Sequence, residues 1–148
     1  MECTYRWWLV DTGATSHITP YSRDLARSKT SNGLSFRVVG GTSVRSTRVG
    51  DLVVLLPSHT NATKSKDSPR FTAHIITRVF SIPNGESILS LPGLRRDGLD
   101  LDLQDHVLFS KSDPTVRVPV IYKHGRPYVR LAVTTDPTCY QRAFAARG

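Results

Sequence analysis

Short apolar, β-branched and aromatic segments recur along this chain, each closed off by Gly, Pro, Asn, Asp or Ser: TYRWWLV, SFRVV, SVRSTRVGDLVVLL, FTAHIITRVFSI, LDLDL, HVLFS, VRVPVIY and PYVRLAV. Segments of that length and residue type fit a pleated, half-buried surface, and the punctuation between them is turn chemistry. The fold class expected is therefore all-β. In LDLDL the alternation is strict, which sets Leu99, Leu101 and Leu103 on one face and Asp100 and Asp102 on the other. Gln104-Asp105 should then turn the chain into HVLFS. One short helix is expected over Leu91 to Arg96, with Pro92 allowed in a first turn and Gly98 stopping it. Residues Ser58 to Ser68 are polar, lack a strand pattern and read as an exposed loop between two core strands.

With 148 residues, 39% of them hydrophobic, the chain suits one domain with a real core. Two cysteines, Cys3 and Cys139, offer neither a disulfide framework nor a zinc spacing, so a reducing compartment is expected. No apolar run approaches the roughly 20 residues of a membrane helix, and no secretory leader is evident. A soluble cytoplasmic protein with no membrane partner is the expectation. Asn61-Ala62-Thr63 then reads as a chance glycosylation match. Twenty Lys and Arg against 12 Asp and Glu give a net charge of +8, which invites nucleic acid. The basic residues are scattered, however, and show no aromatic repeat of an RNA-binding sheet, so a solvated basic surface is the simpler reading.

The chemistry-bearing stretch is WWLVDTGATSHITP. An apolar strand delivers Asp11 to its end and then turns through Thr12 and Gly13. Without a Cβ, Gly13 lets another backbone or a water approach the carboxylate, and Thr12 can hydrogen-bond across the turn. Asp-Thr-Gly is also ordinary turn chemistry, so the tripeptide alone decides nothing. The five histidines, at 17, 59, 74, 106 and 124, show neither pairing nor a shared loop, and no metal or cofactor is expected. Ser16 and Ser90 lack a Gly-x-Ser-x-Gly elbow. Trp7-Trp8 reads as core or dimer-contact surface rather than a ligand platform.

The longer run WLVDTGATSHIT resembles the active-site signature of retropepsin-like aspartic proteases in the form carried by copia-type retrotransposons. Trp8, Leu9, Val10, Asp11, Thr12, Gly13, Ala14, Thr15, His17, Ile18 and Thr19 fall on that pattern. Two further segments arrive in the family's order. FRVVGGTSVRSTRVGDLVVLL is similar to the flap hairpin, with its tip at Val39, Gly40, Gly41 and Thr42 and a return strand leading through Gly50 into the core. ESILSLPGLRRDGLDLDLQDHVLFS resembles the second half of the barrel, with Ile88, Leu89 and Ser90 where many retropepsins have two aliphatics and Gly.

The resemblance spans about Trp7 to Phe109 and implies a closed retropepsin-like barrel over residues 1–110, with a flap hairpin and one short helix. Residues 111–148 are then a C-terminal extension, with a hairpin turning at His124-Gly125 and an irregular tail. It further implies an aspartic endopeptidase of a Gag-Pol polyprotein, in which Asp11 is catalytic, Thr12, Gly13 and Ala14 support it, and Ile88, Leu89 and Ser90 form a second supporting segment. One Asp-Thr-Gly per chain implies a homodimer that completes the aspartate pair. The family's polyprotein setting extends the localisation to virus-like particles. The zinc-knuckle cysteines and His/Cys zinc segment of such polyproteins are missing here, so the chain reads as an excised, decayed or separately encoded piece. The alternative is a non-enzymatic domesticated or decayed barrel that binds protein or nucleic acid through its basic surface.

Overall fold

The computed structural model describes residues 3–31, 35–37, 43–59 and 70–147. The chain forms β1 (Thr4–Asp11), β2 (His17–Thr19), a 3-10 turn (Ser22–Asp24), β3 (Leu25–Thr30), β4 (Ser35–Arg37), β5 (Ser43–Arg45), β6 (Arg48–Ser58) and β7 (Arg70–Ser81). There follow β8 (Ile88–Ser90), α1 (Leu91–Arg96), β9 (Leu99–Asp102), β10 (Val107–Ser110), β11 (Arg117–Pro119), β12 (Ile121–Lys123), β13 (Arg126–Thr134) and α2 (Pro137–Arg147). The protein is mostly β, as the segment pattern predicts. Its main sheet runs β12-β13-β1-β8-β2-β7-β6-β3, and a further β13–β6 pairing closes six of these strands into a barrel.

Two features of that barrel position Asp11. First, β8 lies between β1 and β2. It pairs parallel with β1 through Leu9↔Ile88, Val10↔Leu89 and Asp11↔Ser90, and antiparallel with β2 through Ile18↔Ile88. The loop from Asp11 to His17 therefore straddles the end of β8 rather than closing a hairpin. Second, β13 pairs with β1 from Thr4↔Val133 to Leu9↔Tyr128, and with β6 through Ala132↔Leu55, Val133↔Val54 and Thr134↔Val53. The wall that carries Asp11 thus draws on the segment beyond residue 110. Inside, Trp8, Val10, Leu52, Val54, Ile76, Leu89, Leu94 and Leu131 form one continuous core. The even positions of β1 from Trp8 onward point inward because strand side chains alternate.

The hairpin at His124-Gly125 forms as expected, joining β12 to β13 with both turn residues at positive φ, 52° and 75°. That conformation suits the right-handed twist of the flanking strands. VRVPVIY does not form one strand: β11 pairs with β10 and β12 with β13, and the break falls at buried Val120. Leu103 is not on the buried face of LDLDL. The strand ends at Asp102, whose Oδ1 accepts hydrogen bonds from Gln104 N (2.9 Å) and Asp105 N (3.0 Å), so Leu103 falls in the turn and is exposed. The expected loop after Ser58 lies mostly outside the described residues.

The one short helix expected in the barrel forms as α1, and the tail, expected to be irregular, folds as α2. Asp136 Oδ1 accepts from Thr138 N at 2.9 Å, which caps α2, and Cys139 and Ala143, four residues apart, bury one face against β6 and β7. Elsewhere on the barrel wall, Arg6 makes a two-pronged contact with Asp24, Nε to Oδ2 at 2.9 Å and Nη2 to Oδ1 at 3.2 Å, with its guanidinium against the Tyr21 ring. The Asp24 hydrogen bonds raise the Arg6 pKa and tie the 3-10 turn to β1.

Candidate active site

Asp11 ends β1 half-buried, and Thr12 and Gly13 after it are exposed. Gly13 N donates to Asp11 Oδ1 at 2.8 Å, so the turn itself orients the carboxylate. Among the described residues the second oxygen, Oδ2, has no partner. A Cβ built on Gly13 would stand 3.5 Å from Oδ1, at ordinary van der Waals distance, so glycine keeps that side of the carboxylate uncovered.

The loop after Asp11 is held from behind by residues of distant sequence. Ser90 is wholly buried, donates its hydroxyl to the Ala14 carbonyl at 2.7 Å and accepts from Gly93 N at 3.1 Å. Its backbone N–H donates to His17 Nδ1 at 2.9 Å. Ser90 thus caps α1, anchors the Asp11 loop and orients His17 at once. The α1 C-terminus is fixed as well: Asp97 accepts from Thr77 N at 2.8 Å, and His74 Nε2 donates to the Asp97 carbonyl at 2.8 Å. The Asp11 loop therefore rests on a short helix secured at both ends.

His17 is 1% exposed, and burial lowers its pKa to about 4, with Asp97 opposing the effect and nearby Arg96 adding to it. At neutral pH it is uncharged, and because Nδ1 accepts from Ser90 the proton sits on Nε2. Among the described residues Nε2 has no hydrogen-bond partner, since α1 presses directly on the ring. A Cβ on Gly93 would lie 2.6 Å from Nε2 and 2.7 Å from Cε1. Only glycine fits there without a shift of the ring. No protein-family model, curated protein or solved structure matches this chain.

Of the residues singled out in the sequence, Asp11, Thr12, Gly13 and Ala14 share one loop, and Ile88, Leu89 and Ser90 form the strand beside it. Leu89 belongs to the core, and Ser90 alone of the three makes side-chain hydrogen bonds to the loop. The flap residues Val39, Gly40, Gly41 and Thr42 lie outside the described residues. The strands flanking them, β4 and β5, pair antiparallel as a hairpin through Ser35↔Arg45, Phe36↔Val44 and Arg37↔Ser43. Sequence reasoning gives His17 no physical role and passes over Gly93. The available signal is Ser90-Leu91-Pro92-Gly93: a glycine in the first turn of a helix weakens it unless something packs against its bare Cα.

Proposed function

We propose that the protein is an aspartic endopeptidase of retropepsin type whose active form is a homodimer, with a retroelement polyprotein as its substrate. The observation that carries this reading is the state of Asp11: a half-buried carboxylate with one oxygen fixed by Gly13 N, the other open, on a loop braced by Ser90 and His17. A plain turn has no need of a buried Ser-His-Gly lock. Catalysis by position needs one, because a misplaced carboxylate loses its hold on the reacting water.

A single Asp11 cannot run the reaction alone. Across a two-fold axis, Asp11 and its symmetry mate would stand about 3 Å apart and share one proton. The ionised member takes a proton from the bound water as it attacks the scissile carbonyl, and the protonated member gives its proton to the carbonyl oxygen. Collapse of the tetrahedral intermediate passes a proton to the leaving amine, breaks the C–N bond and restores the shared proton. The two carboxyls titrate as a pair.

The test is incubation with a random peptide library and with a Gag-like polyprotein, comparing the wild-type chain with Asp11→Asn. The reading predicts cleavage that Asp11→Asn abolishes. Cleavage that survives the substitution would reject it.

A further inference from the structure

We propose that the outer face of β12, β13 and β1 binds single-stranded nucleic acid, stacking bases on Tyr5, Trp7 and Tyr128 and meeting phosphates with Lys123, Arg126 and Arg130. These residues are scattered in sequence, and the barrel gathers them. Trp7 pairs with Arg130, Leu9 with Tyr128, Ile121 with Tyr128 and Lys123 with Arg126. Because side chains alternate along a strand and register partners share a face, Tyr5, Trp7, Tyr128, Lys123, Arg126 and Arg130 all stand on the side away from the core. Trp8 and Val129, one residue out of phase, are fully buried.

The face is of one sign and open at Tyr5, Trp7, Lys123, Arg126 and Arg130, while Tyr128 is half-buried and Leu9 and Ala132 on the same side are buried. Tyr5 and Trp7 remain 47% and 41% exposed. Lys123 Nζ lies 3.6 Å from the centre of the Trp7 ring and 5.5 Å from that of Tyr128, and the Arg130 guanidinium lies 4.3 Å from that of Tyr5. Neither β12 nor β13 contains an acidic residue, and β1 has only Asp11, at its far end. Exposed aromatic rings interleaved with cations are what an unpaired strand requires: a π-face for each base and a positive charge for each phosphate. Tyr5 and Trp7 are two residues apart on one strand, about 7 Å, so each ring can take a base of its own once Lys123 and Arg130 swing from the ring faces they cover to the phosphates. An acidic peptide would use the cations but leave the rings without a flat partner. A second copy would bring the same positive charge to the same face. Charge complementarity therefore selects a polyanion, and the rings select one with unpaired bases.

The proposal does not rest on peptidase activity, and Asp11→Asn should bind as the wild type does. Binding of fluorescein-labelled oligouridylate and oligothymidylate is read by anisotropy across a salt titration, with quenching of Trp7 fluorescence as the stacking signal. The expected result is salt-dependent binding of single strands, stronger than of a duplex of equal length. Trp7→Leu should weaken it by roughly tenfold. Lys123→Gln with Arg130→Gln should reduce the slope of log affinity against log salt by about 0.7 for each phosphate left without its cation. Circular dichroism checks that the variants fold, and if Trp7→Leu does not, the exposed charge pair carries the test. Absence of binding at low salt, equal affinity for duplex, or affinity unmoved in folded variants would overturn the proposal. So would concentration-dependent self-association that Trp7→Leu abolishes without any oligonucleotide binding, since the face would then be a contact between copies.

Discussion

Acid should loosen the seat of Asp11 through His17. Its pKa is about 4 in the folded chain against an ordinary 6.5, so between those values the unfolded chain holds a proton that the folded one refuses. The stability this buried neutral ring contributes is fully present above pH 6.5 and is lost as pH falls toward 4. At pH 5 the two pKa values give a factor of about 30 in the folding equilibrium, or about 2 kcal/mol, rising to about 3 kcal/mol below pH 4. Protonation has a definite structural target. A proton on Nδ1 removes the acceptor for Ser90 N–H, and the cation has no hydrogen-bond partner at Nε2 among the described residues. Urea unfolding followed by tryptophan fluorescence from pH 7.5 down to 4.5 measures the effect, with His17→Asn as the reference. The asparagine side chain offers an amide oxygen but no titration, so the stability of that variant is expected to fall less steeply than that of the wild type, by about 2 kcal/mol over the span from pH 7 to pH 5. Parallel curves for the two proteins would refute the argument.

Gly93→Ala should destabilise the fold by about 1–2 kcal/mol, because the methyl collides with the His17 ring although alanine favours a helix by about 1 kcal/mol. The double variant His17→Ala/Gly93→Ala should then cost less than the sum of the singles, and a stabilised single variant would mean that the contact yields easily. Asp24→Asn, which discharges the two-pronged contact with Arg6, should lower stability by roughly 1.5–3 kcal/mol in the same urea assay, and an unchanged midpoint would show that the pair does not hold the turn to β1. Cleavage by the proposed aspartate pair should follow a bell-shaped pH profile peaking on the acid side of neutrality, and activity that climbs steadily into alkali would count against it.

How far the sequence discloses this molecule depends on which interactions are local. Most strands are legible because apolar alternation and turn residues act within a few positions, and α1 is legible to the residue because Pro92 and Gly98 are local start and stop signals. Strands β2 and β3 are not. β2 has three residues, and β3 carries a register shift between Ala26 and Lys29 with Arg27 at a φ of 51°, so neither shows a clean period. For α2, the Asp136-Pro137 start is readable, but its low amphipathicity hides it: burial rests on small Cys139 and Ala143. At the candidate site, Asp11 and its loop are visible as a motif. The lock behind them joins residues 73 and 76 positions apart, and nothing local marks His17 as the acceptor for Ser90. The aromatic and basic face escapes sequence reasoning for the same reason, since β12 and β13 reach Trp7 only through strand register.

The central claim is that two copies of Asp11 make one catalytic unit, and mixing experiments test it most directly. Wild-type chain is titrated with Asp11→Asn chain at fixed wild-type concentration, cleavage is recorded at each ratio, and sedimentation verifies that mixed dimers form. The account predicts that activity falls toward zero as Asp11→Asn comes into excess, because every mixed dimer holds one ionisable catalytic carboxylate, and that dilution of the wild type alone also silences it. Activity that stays proportional to the wild-type chain present, with mixed dimers demonstrated, would contradict a shared aspartate pair.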